Sequence, residues 1–305
     1  MVGAKPPWVL IDAGQPDTSN LYIPVLEQAV LENCGVDHLE HIEIISDIVL
    51  THRHGDHHGG VPSVLALLRR LWGDDASRPF PNPKLHMHPL PDAAPHDHRD
   101  SLLKMVAELP AGLQSDPFKA LSDNQVLSVP TSSSTPGASL RVIHVPGHTA
   151  DSVALYLEED NILFTADTVL GRGTAVFDDL AAYIQSLRKL SGIWAHHPAG
   201  CNTGPIYPGH GPVVEDGRAK IEAYISHRLE REGEILSMLR SMPADSLTGE
   251  TRWSIEKIVK KLYVGYPENI WQAAGGTVKK HLIKLQEEGR VRIVNDEWEL
   301  VSPKL

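Results

Sequence analysis

Two cysteines in 305 residues, Cys34 and Cys201, leave no material for a disulfide framework, and a reducing, intracellular setting is the simplest one for such a chain. No run of eighteen apolar residues occurs, so nothing in the sequence reads as a membrane-spanning helix. The opening residues have neither the charged-then-apolar form of a signal peptide nor the Arg- and Ser-rich form of a transit sequence. A cytoplasmic location is therefore expected, with a mitochondrial one left open if residues precede Met1. A basic excess is also lacking: 28 Lys and Arg face 39 Asp and Glu, for a net charge of −11. Such a chain does not advertise a general electrostatic grip on phosphates. Its length suits one large core with a small second domain.

Histidine, by contrast, is concentrated. Thr51-His52-Arg53-His54-Gly55-Asp56-His57-His58-Gly59-Gly60 packs four imidazoles and one carboxylate into ten residues. That density points to a metal site rather than a core. Imidazole and carboxylate donors suit zinc first, with manganese or ferrous iron as alternatives. The run follows Ile44-Ile45-Ser46-Asp47-Ile48-Val49-Leu50, a β-branched apolar stretch that reads as a buried strand. It precedes Val61 to Trp72, where apolar residues fall at helical spacing and Pro62 sits in the first turn. The histidines thus occupy a strand-to-helix turn. There His52 and His54 are able to face one point while Asp56 and His57 face another, an arrangement that fits two metal centres better than one. Gly55, Gly59 and Gly60 suit the tight backbone path this requires.

Three further segments place a ligand type at the end of an apolar strand: Arg141 to Thr149 with His148 after a Pro-Gly turn, Asn161 to Asp167 ending on the acid, and Pro205 to Gly211 with His210 after a second Pro-Gly. Together with Asp12, in Trp8-Val9-Leu10-Ile11-Asp12-Ala13-Gly14, this ordered set resembles the five-part motif of the metallo-β-lactamase superfamily. The resemblance implies that His52, His54 and His148 hold one ion, that Asp56, His57 and His210 hold the second, that Asp167 bridges them, and that Asp12 is structural. It also implies an α/β fold, a four-layer αββα sandwich, with zinc, two ions per chain, as the expected cofactor.

Pro146 to Ser152, Asp167 to Leu180, Tyr207 to Pro212 and Tyr224-Ile225-Ser226-His227-Arg228 are similar to one branch of that superfamily. It holds the beta-lactamase-like endoribonuclease of mitochondria and the fungal polyketide thioesterases that release atrochrysone-type acids from an acyl carrier protein. Relatives carry further strands ahead of the one that here is Trp8 to Ile11. The first strands of the sheet are accordingly expected to be missing, which would expose a sheet edge.

Between Gly73 and Gly137, Arg78 to Pro83 and Thr131 to Pro136 have the proline and serine density of irregular loops. His86 and His88 could form a further metal pair, but Lys84 to His88 reads better as an ordinary strand. Gly217 to Met242 reads as a long amphipathic helix. His227 and Arg228 on it are expected to be structural groups paired with acids rather than substrate contacts. Residues 1–242 would form the hydrolase domain and 243–305 a winged-helix-like domain, with three helices before a hairpin at Gly289 to Leu300. From Glu250 onward ten Lys and Arg stand against eight Asp and Glu. A local patch from Lys257, Lys260, Lys261, Lys279, Lys280 and Lys284 is one reading; the wet face of helices is the commoner one.

Two divalent ions sharing a water lower its pKa, hold a bridging hydroxide for attack and accept charge on the substrate oxygen. The resemblance further implies that Asp56 is the catalytic residue, able to ligate and to orient or carry the proton of the nucleophile. Hydrolysis of a thioester, such as a polyketide acyl chain on an acyl carrier protein, is the favoured reading, since a phosphodiester needs further cations. Single-stranded RNA cleavage is the alternative. A degenerate metal-binding or interaction protein is the non-enzyme reading.

Overall fold

The computed structural model describes residues 1–35, 39–73, 77–90, 96–129, 138–196, 200–241 and 252–301, without the side chains of 96–99 and 196. A parallel four-stranded sheet runs in the order β1 (Trp8–Ile11), β2 (Ile45–Leu50), β3 (Lys84–Met87), β4 (Phe118–Ala120). A second sheet runs β5 (Val126–Ser128), β6 (Ser139–His144), β7 (Val153–Leu157), β8 (Ile162–Ala166), β9 (Ile206–Pro208), antiparallel except for the last pair. The helices of the first part are α1 (Ser19–Asn33), α2 (Gly55–His58), α3 (Val61–Trp72), α4 (His96–Ala107), α5 (Ala111–Gln114) and α6 (Leu180–Ser191), followed by the long α7 (Gly217–Leu239).

Strand alternation explains the layers. On β7, Val153, Leu155 and Leu157 face the first sheet, where they meet Val9, Val49 and Leu121, while Ala154 and Tyr156 face α6. On β1, Trp8 and Leu10 face the opposite way, toward α1 and α3. With side chains pointing alternately to the two faces of a strand, these period-2 patterns bury both faces of both sheets. Three stacked apolar cores follow, and so four layers, αββα, as expected. β1 stands at the edge of its sheet, where the isolated bridge Val2 to Val9 is its outer contact among the described residues.

The span from 73 to 137 is more ordered than its composition suggests. It contributes β3, β4 and β5 as well as α4 and α5, with Leu102, Met105 and Leu109 built into the first core. Residues 79–83 are irregular, as their prolines dictate; the stretch Thr131 to Pro136 lies outside the described residues. His86 and His88 separate: His86 Nε2 bonds Asp47 Oδ1 at 2.7 Å, whereas His88 stacks on His144 with ring centroids 3.9 Å apart.

The C-terminal unit packs α8 (Ile255–Leu262) and α9 (Trp271–Glu287) beside the hairpin β10 (Val291–Val294) and β11 (Glu297–Leu300). Trp253 adds a bridge to Trp298 through two backbone hydrogen bonds of 2.9 Å. Where a third helix is expected, a short 3-10 turn, Glu268–Ile270, joins α8 to α9 among the described residues. The expected boundary at 242/243 lies outside the described residues. α7 serves both units: Ile221 and Tyr224 join the α6 core, and Ile235, Leu236, Met238 and Leu239 join the winged-helix core. A buried ion pair reinforces this, Lys284 Nζ donating to Glu232 Oε2 at 2.6 Å. No helix among the described residues is long and apolar enough to cross a membrane.

One glycine fixes how closely α6 approaches the site. Gly147 has φ +136°, and a Cβ there would fall 2.3 Å from Tyr183 Cα. We expect Gly147→Ala to cost on the order of 2–4 kcal/mol, through backbone strain and the clash together. Urea unfolding measures this, and a midpoint equal to that of the wild type would refute the close approach.

Candidate metal centre

Four strand exits converge at one end of the paired sheets: Asp12 after β1, Thr51 after β2, Asp167 after β8 and Gly209-His210 after β9. The β2 exit turns through His52-Arg53-His54 into α2, which carries Asp56 and His57, so a strand end and a single helical turn present ligands in two directions. His148 comes from the turn between β6 and β7. The structure brings together all seven residues singled out by sequence.

His52 Nε2 and His54 Nδ1 stand 2.9 Å apart, and His148 Nε2 lies 3.2 Å from the former and 3.0 Å from the latter. Asp167 Oδ2 is 3.7 Å from His148 Nε2, which closes a group of three imidazoles and a carboxylate. Asp56, His57 and His210 form the second group, with His210 Nε2 3.2 Å from Asp56 Oδ2. Asp167 faces this group as well, its Oδ1 3.4 Å from both His57 Nε2 and His210 Nε2. Gly209 permits the approach, since a Cβ on it would lie 2.5 Å from Asp167 Oδ1. The fourth imidazole of the run, His58, turns away to Ser101 Oγ at 3.3 Å.

Asp12 orders the back of the site. Its Oδ1 accepts from the Thr51 amide at 2.8 Å, and its Oδ2 accepts from Thr51 Oγ1 at 2.9 Å and from His57 Nδ1 at 2.7 Å. Similarly, His148 Nδ1 donates to the Val176 carbonyl at 2.8 Å. In both rings the Nδ1 proton is engaged, which leaves Nε2 to face the ligand group.

The donors fit a divalent cation. Three ring nitrogens at such separations are close to the roughly 3.3 Å edge of a tetrahedron of nitrogen ligands around zinc. His57 Nε2 and Asp167 Oδ1 are buried and make no hydrogen bond. Burial and the neighbouring imidazoles hold His52 well below the ordinary imidazole range, and burial lowers His148, so both are neutral, the ligating form. Burial also acts to lower His57, but Asp12 and Asp167 outweigh it and push the ring up to about 10. An excess of negative charge at this point favours a cation.

Arg53, between two ligand histidines, had no recognisable role in the sequence. Its side chain is 1% exposed and donates to Asp151 Oδ1 at 3.1 Å and Asp178 Oδ2 at 2.7 Å. It thereby clamps the β2 exit to the His148 turn and to the loop before α6. No sequence signal could have found it, because the partners lie 98 and 125 residues away. Arg228 is structural, as expected, but its partners are not acids: it donates to the Ala175 carbonyl at 2.7 Å and lies over Phe177. Beside the second ligand group opens a cleft of about 320 Å³, walled by Met1, Ile11, Tyr22, Phe164 and Tyr207, with Asp56 and His210 at its polar side.

An αββα sandwich with two adjoining histidine and carboxylate groups at one end defines a class of metal-site fold on which hydrolases are built. The chain matches the Metallo-beta-lactamase superfamily over residues 2–210 and the Beta-lactamase associated winged helix domain over 254–298, and it belongs to the metallo-β-lactamase superfamily. It is 34% identical over 306 residues to a Beta-lactamase-like protein 2 homolog of Drosophila melanogaster, covering 99% of this chain and 87% of that one. It is 33% identical over 209 residues to an Atrochrysone carboxyl ACP thioesterase of Aspergillus fumigatus, covering 68% and 52%. Among solved structures, a Beta-lactamase domain protein from Burkholderia ambifaria is similar in fold, with a TM-score of 0.64 at 17% identity over 96% of this chain and 83% of that one.

We expect Arg53→Met to lower stability by about 3–5 kcal/mol, because it leaves the Asp151 carboxylate buried without its cation. Burial already pushes Asp151 above the usual carboxylate range despite Thr149 and Arg53. The double change Arg53→Met with Asp151→Leu should recover most of the loss. Denaturant titration of the wild type, both single variants and the double variant checks this, and additive losses would refute the coupling.

Proposed function

We propose that the protein is a binuclear metal-dependent hydrolase of thioesters, acting on an acyl chain such as a polyketide carried by an acyl carrier protein. The cleft carries this reading: among the described residues that line it none is Lys or Arg, and Ile11, Tyr22, Phe164 and Tyr207 give it an apolar and aromatic side beside Asp56 and His210. Such a surface suits an acyl chain, whereas a phosphodiester strand needs cations along its path. The named thioesterase activity of the Aspergillus fumigatus relative supports the same direction.

His52, His54, His148 and Asp167 would hold one ion, and Asp56, His57 and His210 the other, with Asp167 shared. Zinc suits this donor set best, ahead of manganese or ferrous iron. When bound, such ions lower the pKa of water and take up charge on the substrate oxygen. Asp56, 38% exposed and lining the cleft, would accept a proton from the nucleophile. Ile11, Tyr22, Phe164 and Tyr207 would take the acyl chain. Asp12 and Val176 keep the imidazoles turned inward.

Elemental analysis of the purified protein should give two divalent ions per chain, with chelation abolishing turnover. His54→Ala is expected to lose metal and activity together. Assays run in parallel on an acyl carrier protein thioester and on a single-stranded RNA should show cleavage of the thioester, with Asp56→Ala reducing it to background. Cleavage of RNA alone, lost in Asp56→Ala, would replace the thioesterase reading with the ribonuclease one. Far less than one ion per chain would favour a degenerate or interaction protein.

A further inference from the structure

Between Asp167 and α6 the chain crosses the end of the second sheet as a strap, Ala175-Val176-Phe177. Its three successive carbonyls are each taken by a different element. Ala175 O accepts from Arg228 of α7 at 2.7 Å, Val176 O accepts from the ligand-group residue His148, and Phe177 O accepts from Lys280 of α9. The Phe177 ring lies under both cations, 4.9 Å from the Arg228 guanidinium and 5.5 Å from the Lys280 ammonium, and stacks on Tyr183. Val176 itself is 71% exposed, so its carbonyl is placed by these neighbours and not by burial of its own side chain.

The strap is tied directly to the His148 turn. The Asp178 amide donates to the Gly147 carbonyl at 2.7 Å, and its side chain is held by Arg53. A shift of the strap therefore displaces the acceptor that sets the tautomer and rotation of the His148 ring. Lys280 supplies a charge-assisted bond, the stronger kind, from a helix that belongs to the winged-helix unit.

We propose that the winged-helix unit is a positioning element of the metal centre. Lys280, with Arg228 beside it, holds the strap so that the Val176 carbonyl keeps the His148 Nδ1 proton and directs Nε2 to the ion. The inference rests on the metal-centre reading of the preceding section. It gives the C-terminal unit a task that requires no nucleic acid.

The test uses the full chain loaded with cobalt(II), whose visible absorption reports ligand geometry. Lys280→Met keeps the aliphatic stem over Phe177 and removes the donor. We expect it to weaken one of the two cobalt-binding steps by about 10–100-fold, the usual loss when a partner of a ligating histidine is disturbed. A change in the visible bands should accompany this, while far-ultraviolet circular dichroism stays at the wild-type level. Arg228→Met should act in the same sense and Arg228→Lys should restore part of the affinity, which a role in packing alone would not produce. In the metal-free protein, nitrogen NMR should find His148 as the Nδ1-H tautomer in the wild type and as a mixture in Lys280→Met. A wild type that binds two cobalt ions beside a Lys280→Met variant with the same affinities, bands and tautomer would overturn this inference alone. A wild type that binds none would overturn the metal-centre reading and the inference with it.

Discussion

The Asp12 carboxylate joins pieces of the site that fold from distant parts of the chain. It leaves β1 with φ +56°, a conformation that an aspartate adopts more readily than most residues. From there its two oxygens take the amide and hydroxyl of Thr51 and the Nδ1 of His57. Thr51 Oγ1 in turn lies 3.1 Å from His52 Nδ1. One acid thus touches the second ligand group directly and the first through a single hydroxyl. A largely buried carboxylate is costly unless each lone pair is used. Here that cost is offset by the same three bonds that orient the ligands, so structure and function depend on one arrangement.

That arrangement requires the strand exits to meet, and the three-layer packing of apolar residues brings them together. Val49 and Leu50 lie side by side on β2 yet belong to different cores, because successive side chains point to opposite faces of the sheet. A one-residue slip of β2 would exchange them and would also carry Thr51 away from Asp12. The second sheet is constrained in the same way at β8, where the register shifts between Phe164 and Ala166, and Ala166 takes φ +44° just before Asp167. The Gly209 amide donates to the Ala166 carbonyl at 2.9 Å, locking the His210 turn to the acid it must face. On β8 the irregular backbone thus falls where the chain leaves the strand for the ligand Asp167.

These local relations account for what the sequence revealed. His52, His54, Asp56 and His57 are close in sequence, and His148, Asp167 and His210 each follow an apolar run that ends in a turn, so ligand type and strand exit were both visible. α4 and α5 were not, because the prolines and serines that flank them dominate the composition of 73–137 while Leu102, Met105 and Leu109 are too few to show a period. Arg53 was hidden for a different reason. A lone charge in a polar turn ordinarily faces water, and its burial depends on Asp151 and Asp178, which only the folded chain brings near. Arg228 was read correctly as structural but with the wrong partners, since a carbonyl and an aromatic face leave no charge pattern in a sequence.

The winged-helix unit shows the same principle applied to lysine. Six lysines there suggested a basic patch, yet Lys260 pairs with Glu256 at 2.7 Å, Lys257 with Glu297 at 3.3 Å, and Lys284 with both Glu232 and Glu288 at 2.6 Å. Lys261 lies over Trp253 and Lys280 reaches the Phe177 carbonyl. Affinity for a phosphate backbone comes from counterions released when cations neutralise phosphates. A lysine that must first leave a carboxylate gains less from that exchange, and the carboxylate left behind repels the strand. Lys284 is the most firmly held of them, since it lies between Glu232 and Glu288, and Arg290 Nη1 joins the same network at 3.1 Å from Glu232 Oε1. Lys284 and Lys280 thus hold the winged helix against α7 and the Phe177 strap, and through Lys280 that hold extends to the carbonyl beside His148, while Lys257, Lys260 and Lys261 have their partners inside the winged-helix unit.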